Sequence, residues 1–178
     1  MKRIKFFVLF LTMLVSTISY AQTLSQTFSW NGLTLRYPSD YVITDREAGS
    51  DGYSFNCVSA DDDVISILTA SFFFDDQFLE LTSDEVLEVC EAGIDGSFEG
   101  MDEEGIRDIQ KGSMTVDKSK SYTCIYQPFT TNLAGIPISG KVSVSVQDDM
   151  LVIVAMLADD PARLSTLQSI TNSIKRKR

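Results

Sequence analysis

Val64-Ile65-Ser66-Ile67-Leu68-Thr69-Ala70-Ser71-Phe72-Phe73-Phe74 is largely apolar on both parities of an extended chain, and Met150-Leu151-Val152-Ile153-Val154-Ala155-Met156-Leu157-Ala158 repeats the pattern. A strand with one wet face alternates apolar with polar residues; a strand apolar on both faces is covered on both. The two runs therefore predict interior strands, with Leu68 and Ile153 inside the sheet. Working outward, Asp148-Asp149 turns the chain back into a run where Val142, Val144 and Val146 share one face and Ser143 and Ser145 the other. Tyr122 to Tyr126 and the short stretches Ile106–Gln110 and Met114–Val116, set around Lys111-Gly112, add extended segments before it.

Upstream, Tyr53 to Val58 alternates and Ala60 to Asp63 turns it into the first apolar run. Thr27-Phe28-Ser29-Trp30 and Leu33-Thr34-Leu35-Arg36-Tyr37 are joined by Asn31-Gly32, the dipeptide best able to take positive φ at both turn positions, which predicts a hairpin with Phe28, Trp30, Leu33 and Leu35 on its apolar face. Pro38 ends it and Tyr41-Val42-Ile43 resumes an extended run. Two helices are expected. Thr82 with Glu85 three residues on forms a capping box, and Val86, Leu87, Val89, Cys90 and Ile94 supply an inward stripe, with Gly93 to Gly105 expected to fray into an acidic loop. Asp160 caps a closing helix with Pro161 at its first position and Leu164, Leu167, Ile170 and Ile174 at helical spacing. Segregated strands joined by short turns make this an α+β chain with a largely antiparallel sheet.

The N-terminus carries a leader pattern: Lys2, Arg3 and Lys5, an apolar run from Phe6 to Val15, and Ser19-Tyr20-Ala21 with small residues where a signal peptidase cuts. Residues 1–21 are expected to be a cleaved signal peptide and 22–178 a single domain, exported to the periplasm or the outside and not membrane-spanning. No cysteine stands at the cleavage point, so a lipidated N-terminus is not expected.

Composition narrows the chemistry. The leader holds three of the 15 basic residues and none of the 25 acidic ones, so its removal takes the net charge from −10 to −13. Such a surface repels polyphosphate, and nucleic acid is excluded as a partner. There is no histidine, which removes Ser-His-Asp and Cys-His hydrolysis and the usual zinc sites. The three cysteines allow one disulfide at most; Cys57 and Cys124, in strand-like segments, are the favoured pair, and the alternative is three buried thiols with Cys90 on the apolar face of a helix.

Candidate sites each have a plainer reading. Asp61-Asp62-Asp63, Asp75-Asp76, Asp102-Glu103-Glu104, Asp148-Asp149 and Asp159-Asp160 offer oxygen ligands for calcium, with Asp61 to Asp63 first, but lack the Asp-x-Asp-x-Asp-Gly spacing and suit turns. Gly93, Gly96, Gly100 and Gly105 follow a helix instead of linking a strand to one, so a phosphate cradle gives way to a flexible loop. Lys175 to Arg178 could meet an acidic partner or membrane surface, although cations at a helix C-terminus also complement its dipole. Trp30, Tyr37, Tyr41 and Phe72 to Phe74 suit a core better than a pocket. No catalytic residue, cofactor site or metal site is assigned.

Gly32-Leu33-Thr34-Leu35-Arg36-Tyr37-Pro38-Ser39-Asp40-Tyr41 resembles the opening of the PsbP-like superfamily of small secreted domains, DcrB-type proteins included, with Tyr41 where that group usually has Trp. Leu167-Gln168-Ser169-Ile170-Thr171-Asn172-Ser173-Ile174 resembles its terminal helix. The resemblance implies an antiparallel sheet of about six strands flanked by helices on both faces, and a non-enzymatic accessory role. Metal positions that rely on histidine in photosynthetic members do not carry over. The expectation is thus an exported, non-catalytic binding or accessory module of unknown ligand, with a small molecule or protein as partner. A carboxylate-dependent hydrolase or a thiol-based redox protein is the alternative.

Overall fold

The computed structural model describes residues 23–50, 52–117 and 119–176. The leader lies outside the described residues, as do Lys177 and Arg178. Eleven strands form two antiparallel sheets among these residues. β1 (Gln26–Trp30) and β2 (Leu33–Tyr37) make the predicted hairpin, Trp30 opposite Leu33 and Phe28 opposite Leu35. Asn31 and Gly32 take φ of 46° and 80°, as a turn matched to the strand twist requires.

The main sheet joins β3 (Tyr41–Ala48), β4 (Gly52–Ser59), β5 (Ser66–Phe74), β10 (Met150–Ala158), β9 (Ile136–Gln147) and β8 (Cys124–Leu133) in that order, and the two-residue strands β6 (Gln110–Lys111) and β7 (Thr115–Val116) share the outer edge of β8. The sheet thus has eight strands, two more than expected. β5 and β10 pair along nine positions, from Ser66 with Ala158 to Phe74 with Met150, and both are interior. The same strand β8 runs through Pro128, which the sequence pattern did not anticipate. The carbonyl of Pro128 accepts from Gly112 N–H at 2.8 Å, in the turn between β6 and β7. A residue's N–H and C=O point to the same side of a strand, so the donor that proline lacks falls at the turn where the ladder is broken.

The expected helical layers over both faces do not form. α1 (Ser83–Glu103) packs on β8, β9 and β10 from one side, burying Cys90, Ile94, Phe98 and Met101 against Ile125, Phe129, Val142, Val144 and Val146. α2 (Pro161–Asn172) and the hairpin close the opposite side over β5, β10 and their neighbours, where Leu167, Ile170, Leu33 and Leu35 meet Phe55, Leu68, Phe72, Val154 and Met156. A helix is about 10 Å across and one of 12 residues about 18 Å long, whereas six strands span about 24 Å, so one helix on each side covers only part of the sheet. Val42 and Phe73 accordingly stay 42% exposed on the α1 side.

Both helix starts follow the sequence. Thr82 accepts from Glu85 N–H while the Glu85 carboxylate accepts from Thr82 N–H at 2.7 Å, and Asp160 accepts from Ala162 N–H at 2.6 Å ahead of Pro161. The end of α1 differs: the stretch from Gly93 to Glu103, expected as a loop, is helical. Ile94, Phe98 and Met101 extend the inward stripe, and their burial outweighs the helix-weakening glycines.

Candidate functional site

The incomplete cover on the α2 side leaves one concave stretch of sheet. The serines that alternate with valines on β9 point there: Ser143 stands opposite Tyr126 of β8 and Val154 of β10, and Ser145 opposite Cys124 and Val152. Lys141 continues the row. Gln168, Thr171 and Asn172 from the last turns of α2, with Ile174 beyond it, form one wall; Asp117, Ser119, Lys120 and Tyr122 from the β7–β8 loop form the other. The cleft encloses about 340 Å³, with Val152 and Val154 in its floor. Its lining is mostly hydroxyl, amide and ammonium groups, in place of the apolar pocket usual for larger ligands.

Lys141 is the electrostatic centre. Its ammonium lies 4.9 Å from the Tyr126 ring centroid, within cation–π range. Among the described residues it makes no ion pair and no hydrogen bond. Burial pushes its pKa down and neighbouring Lys120 adds to that, against the opposing pull of Cys124 and Asp117. Lys120 donates to Asn172 Oδ1 at 3.4 Å. Asp117 accepts from Ser119 Oγ at 2.6 Å and Ser119 N–H at 3.0 Å, and these bonds hold its carboxyl low and ionised. On the opposite wall, Gln168 donates to Asn172 Oδ1 at 3.4 Å while its own Oε1 is buried without a partner among the described residues.

The structure does not bring the predicted disulfide pair together. Cys57 on β4 and Cys124 on β8 are separated by β5, β10 and β9, about 19 Å at the usual strand spacing, far beyond disulfide reach. All three cysteines are buried free thiols. Burial raises Cys57 to about 12 and Cys90 to about 11, and raises Cys124 as well. Cys124 alone borders the cleft, 3.6 Å from Ser143 Oγ.

The acidic clusters serve turns, caps and ion pairs. Asp61 accepts from Asp63 N–H at 3.1 Å in the β4–β5 turn, Asp75 caps the 3-10 turn Asp76–Leu79, Asp102 pairs with Arg107, and Asp159 pairs with Arg163 at 2.6 Å. Among the described residues no three carboxylate or thiol side chains converge on a common point. The terminal cations do something the sequence did not signal: Lys175 and Arg176 form β11 against β2, and Arg176 pairs with Asp149 and lies over the Phe74 ring. Trp30, Tyr37, Tyr41, Phe72 and Phe74 belong to the core, Tyr41 hydrogen-bonding Ser66 Oγ at 2.6 Å, while Phe73 faces the other side. Sequence reasoning reached the cleft only through Cys124. The signal was present in the Val/Ser alternation, but which elements face the serine row depends on long-range pairing.

No family model matches the chain. No curated protein matches it either. Solved structures do. Cyanobacterial PsbP (CyanoP) from Synechocystis sp. PCC 6803 superposes with a TM-score of 0.58 at 15% identity, over 85% of this chain and 91% of that one. A protein from Bacteroides thetaiotaomicron VPI-5482 superposes with a TM-score of 0.56 at 12% identity over 88% of this chain, which spans only 50% of the length of that protein. The fold is therefore PsbP-like. Among the described residues no helix is long and apolar enough to cross a membrane.

Proposed function

We propose that the chain is an exported, non-catalytic accessory module that binds a small polar ligand in the cleft between β8, β9 and α2. The observation that carries this reading is the cleft itself: a concave, polar stretch of sheet holding a half-buried ammonium that makes no ion pair among the described residues. A rigid sheet with hydrogen-bonding groups at fixed spacing is suited to recognition. Export rests on the leader pattern of residues 1–21. A non-catalytic role is favoured by the thiols, all of which burial keeps protonated and so poorly nucleophilic. It is favoured too by the carboxylates with displaced pKa among the described residues, Glu85, Asp117 and Asp159, which are all lowered, whereas a general acid needs a raised one. Fold likeness adds only an association with accessory domains.

Titration of the ¹⁵N-labelled chain with a panel of small polar molecules (glycine, acetate, D-glucose, D-glucuronate) tests the site. At least one should shift amides within 124–126, 141–145 and 168–172, and Ser143→Trp, which fills the cleft, should abolish those shifts while leaving the melting temperature within a few degrees. Shifts confined to the Phe73 surface, or none with any member, would discard the cleft as the binding site.

A further inference from the structure

We infer that the cleft takes a small hydroxylated carboxylate, with Lys141 and Lys120 receiving the carboxylate and Ser143, Ser145 and Asn172 the hydroxyls. The inference rests on the cleft being the binding site and adds the class of ligand.

Cations are scarce in this protein, whose formal net charge is −10. Of the six other basic residues in the body of the domain, Arg107 and Arg163 are neutralised by ion pairs, Lys111 lies over the Phe98 ring, Arg36 donates to the Leu24 carbonyl, Arg46 is exposed on β3, and Lys118 lies outside the described residues. Lys120 and Lys141 instead line one cleft. Two like charges sharing one cleft, neither of them in an ion pair among the described residues, are unfavourable to the fold alone. A bound anion offsets that cost, which makes such a pair facing a cavity a candidate anion site.

Charge matching selects among anions. Two ammonium groups and the Asp117 carboxylate leave the cleft one positive charge in excess, which a monoanion balances. A phosphate dianion overshoots. The C-terminal end of α2, the negative end of its dipole, opposes any anion in proportion to its charge and so disfavours the dianion more than a carboxylate, in contrast to the N-terminal end that phosphate sites use. The remaining groups indicate hydroxyls on the ligand. Ser143 and Ser145 lie about 7 Å apart along β9; the Ser143 hydroxyl can donate or accept, and Ser145 Oγ, which accepts from Gln147 Nε2 at 3.0 Å, keeps its O–H to donate. Gln168 Oε1, buried at the wall without a donor among the described residues, gains one if the amide turns toward a ligand hydroxyl. The apolar floor of Val152 and Val154 suits a C–H face between the polar substituents, and about 340 Å³ admits a molecule of monosaccharide size.

Calorimetric and ¹⁵N titrations of the full chain with D-glucuronate, D-glucose and inorganic phosphate decide it, repeated on Lys141→Gln and Lys141→Arg. Glucuronate should bind in the cleft roughly tenfold or more tighter than glucose, the effect of one charge-assisted contact. Lys141→Gln should remove that advantage and Lys141→Arg should keep most of it, read as the ratio of glucuronate to glucose affinity within each variant. If Lys141→Gln fails to fold, the wild-type preference and the arginine variant still test the point. Glucose binding as tightly as glucuronate would overturn the anionic pole while leaving the cleft as a site. Phosphate binding as tightly as glucuronate would overturn the charge match. A glycine or acetate response with none from glucuronate would overturn the hydroxylated ligand alone.

Discussion

The two sides of β10 are covered to different depths and by different means: Val152, Val154 and Met156 are buried, whereas Leu151, Ile153 and Ala155 are only partly buried. On the α2 side, Val152, Val154 and Met156 share one core cluster with a chain of rings: Phe28 against Phe55 at 5.5 Å, Phe55 against Phe72 at 5.8 Å, Trp30 against Tyr53 and Tyr53 against Phe74 at 5.3 Å. On the α1 side, Leu151, Ile153 and Ala155 lie beneath one helix that comes close because glycine lets it, and among the described residues a single ring pair, Phe98 with Phe129 at 5.4 Å, contributes. One side is held by the area of large side chains drawn from both ends of the chain, the other by proximity. Removing volume should therefore hurt the first most, and adding volume the second.

The largest effect is expected at Phe72, fully buried and stacked on Phe55. Phe72→Ala should cost about 3–5 kcal/mol by urea denaturation, from lost transfer energy and the cavity left behind. The hairpin would lose its platform as well, so the ring chain should loosen as a unit. A cost no greater than that of Val144→Ala on the α1 side would break the contrast.

Gly140 gives the opposite test. A Cβ there would lie 2.2 Å from Phe129 Cζ and 2.7 Å from the Met156 carbonyl oxygen, and Phe129 is 3% exposed with little room to swing away. Gly140→Ala should destabilise by about 1–3 kcal/mol through overpacking. Phe129→Leu in the same chain should recover part of that loss, giving a double-mutant coupling that independent sites lack. Additive costs would show that the ring does not set the limit.

Much of this was legible in the residues, and the part that was not has a common cause. The Asn31-Gly32 turn, the Thr82 capping box and the Asp160–Pro161 helix start are local signals, and each is realised; the doubly apolar runs around Leu68 and Ile153 give interior strands, but without the full cover on both faces that they predicted. The helical stretch from Gly93 to Glu103, β11 at Lys175, and the strand through Pro128 were missed because tertiary partners overrule local propensity there. The cleft belongs to this second kind. Lys141, Ser143 and Lys120 are unremarkable in sequence, and they become a site only when β8, β9 and the end of α2 meet. The Cys57–Cys124 pairing failed for the same reason, since strand type says nothing of strand order.

The smallest and sharpest test sets two glycines of α1 against each other. Gly96 is exposed with nothing within 4 Å of an added Cβ, so Gly96→Ala should stabilise by about 1 kcal/mol, the helix-propensity difference alone. Gly93 faces the sheet, where a Cβ would lie 3.0 Å and 3.3 Å from the two Val144 methyls and 3.6 Å from Ile153 Cδ1. Val144 is fully buried and β-branched, with one strongly preferred rotamer, so α1 itself would have to lift by a few tenths of an ångström. That lift loosens contacts along Cys90, Ile94 and Phe98 and offsets the propensity gain, leaving Gly93→Ala within about 0.5 kcal/mol of wild type. The difference between the two substitutions, read by denaturant midpoint, measures how tightly the helix is pressed to β9. Equal stabilisation by both would mean that α1 has slack, and that the α1 side, too, is held by area more than by closeness.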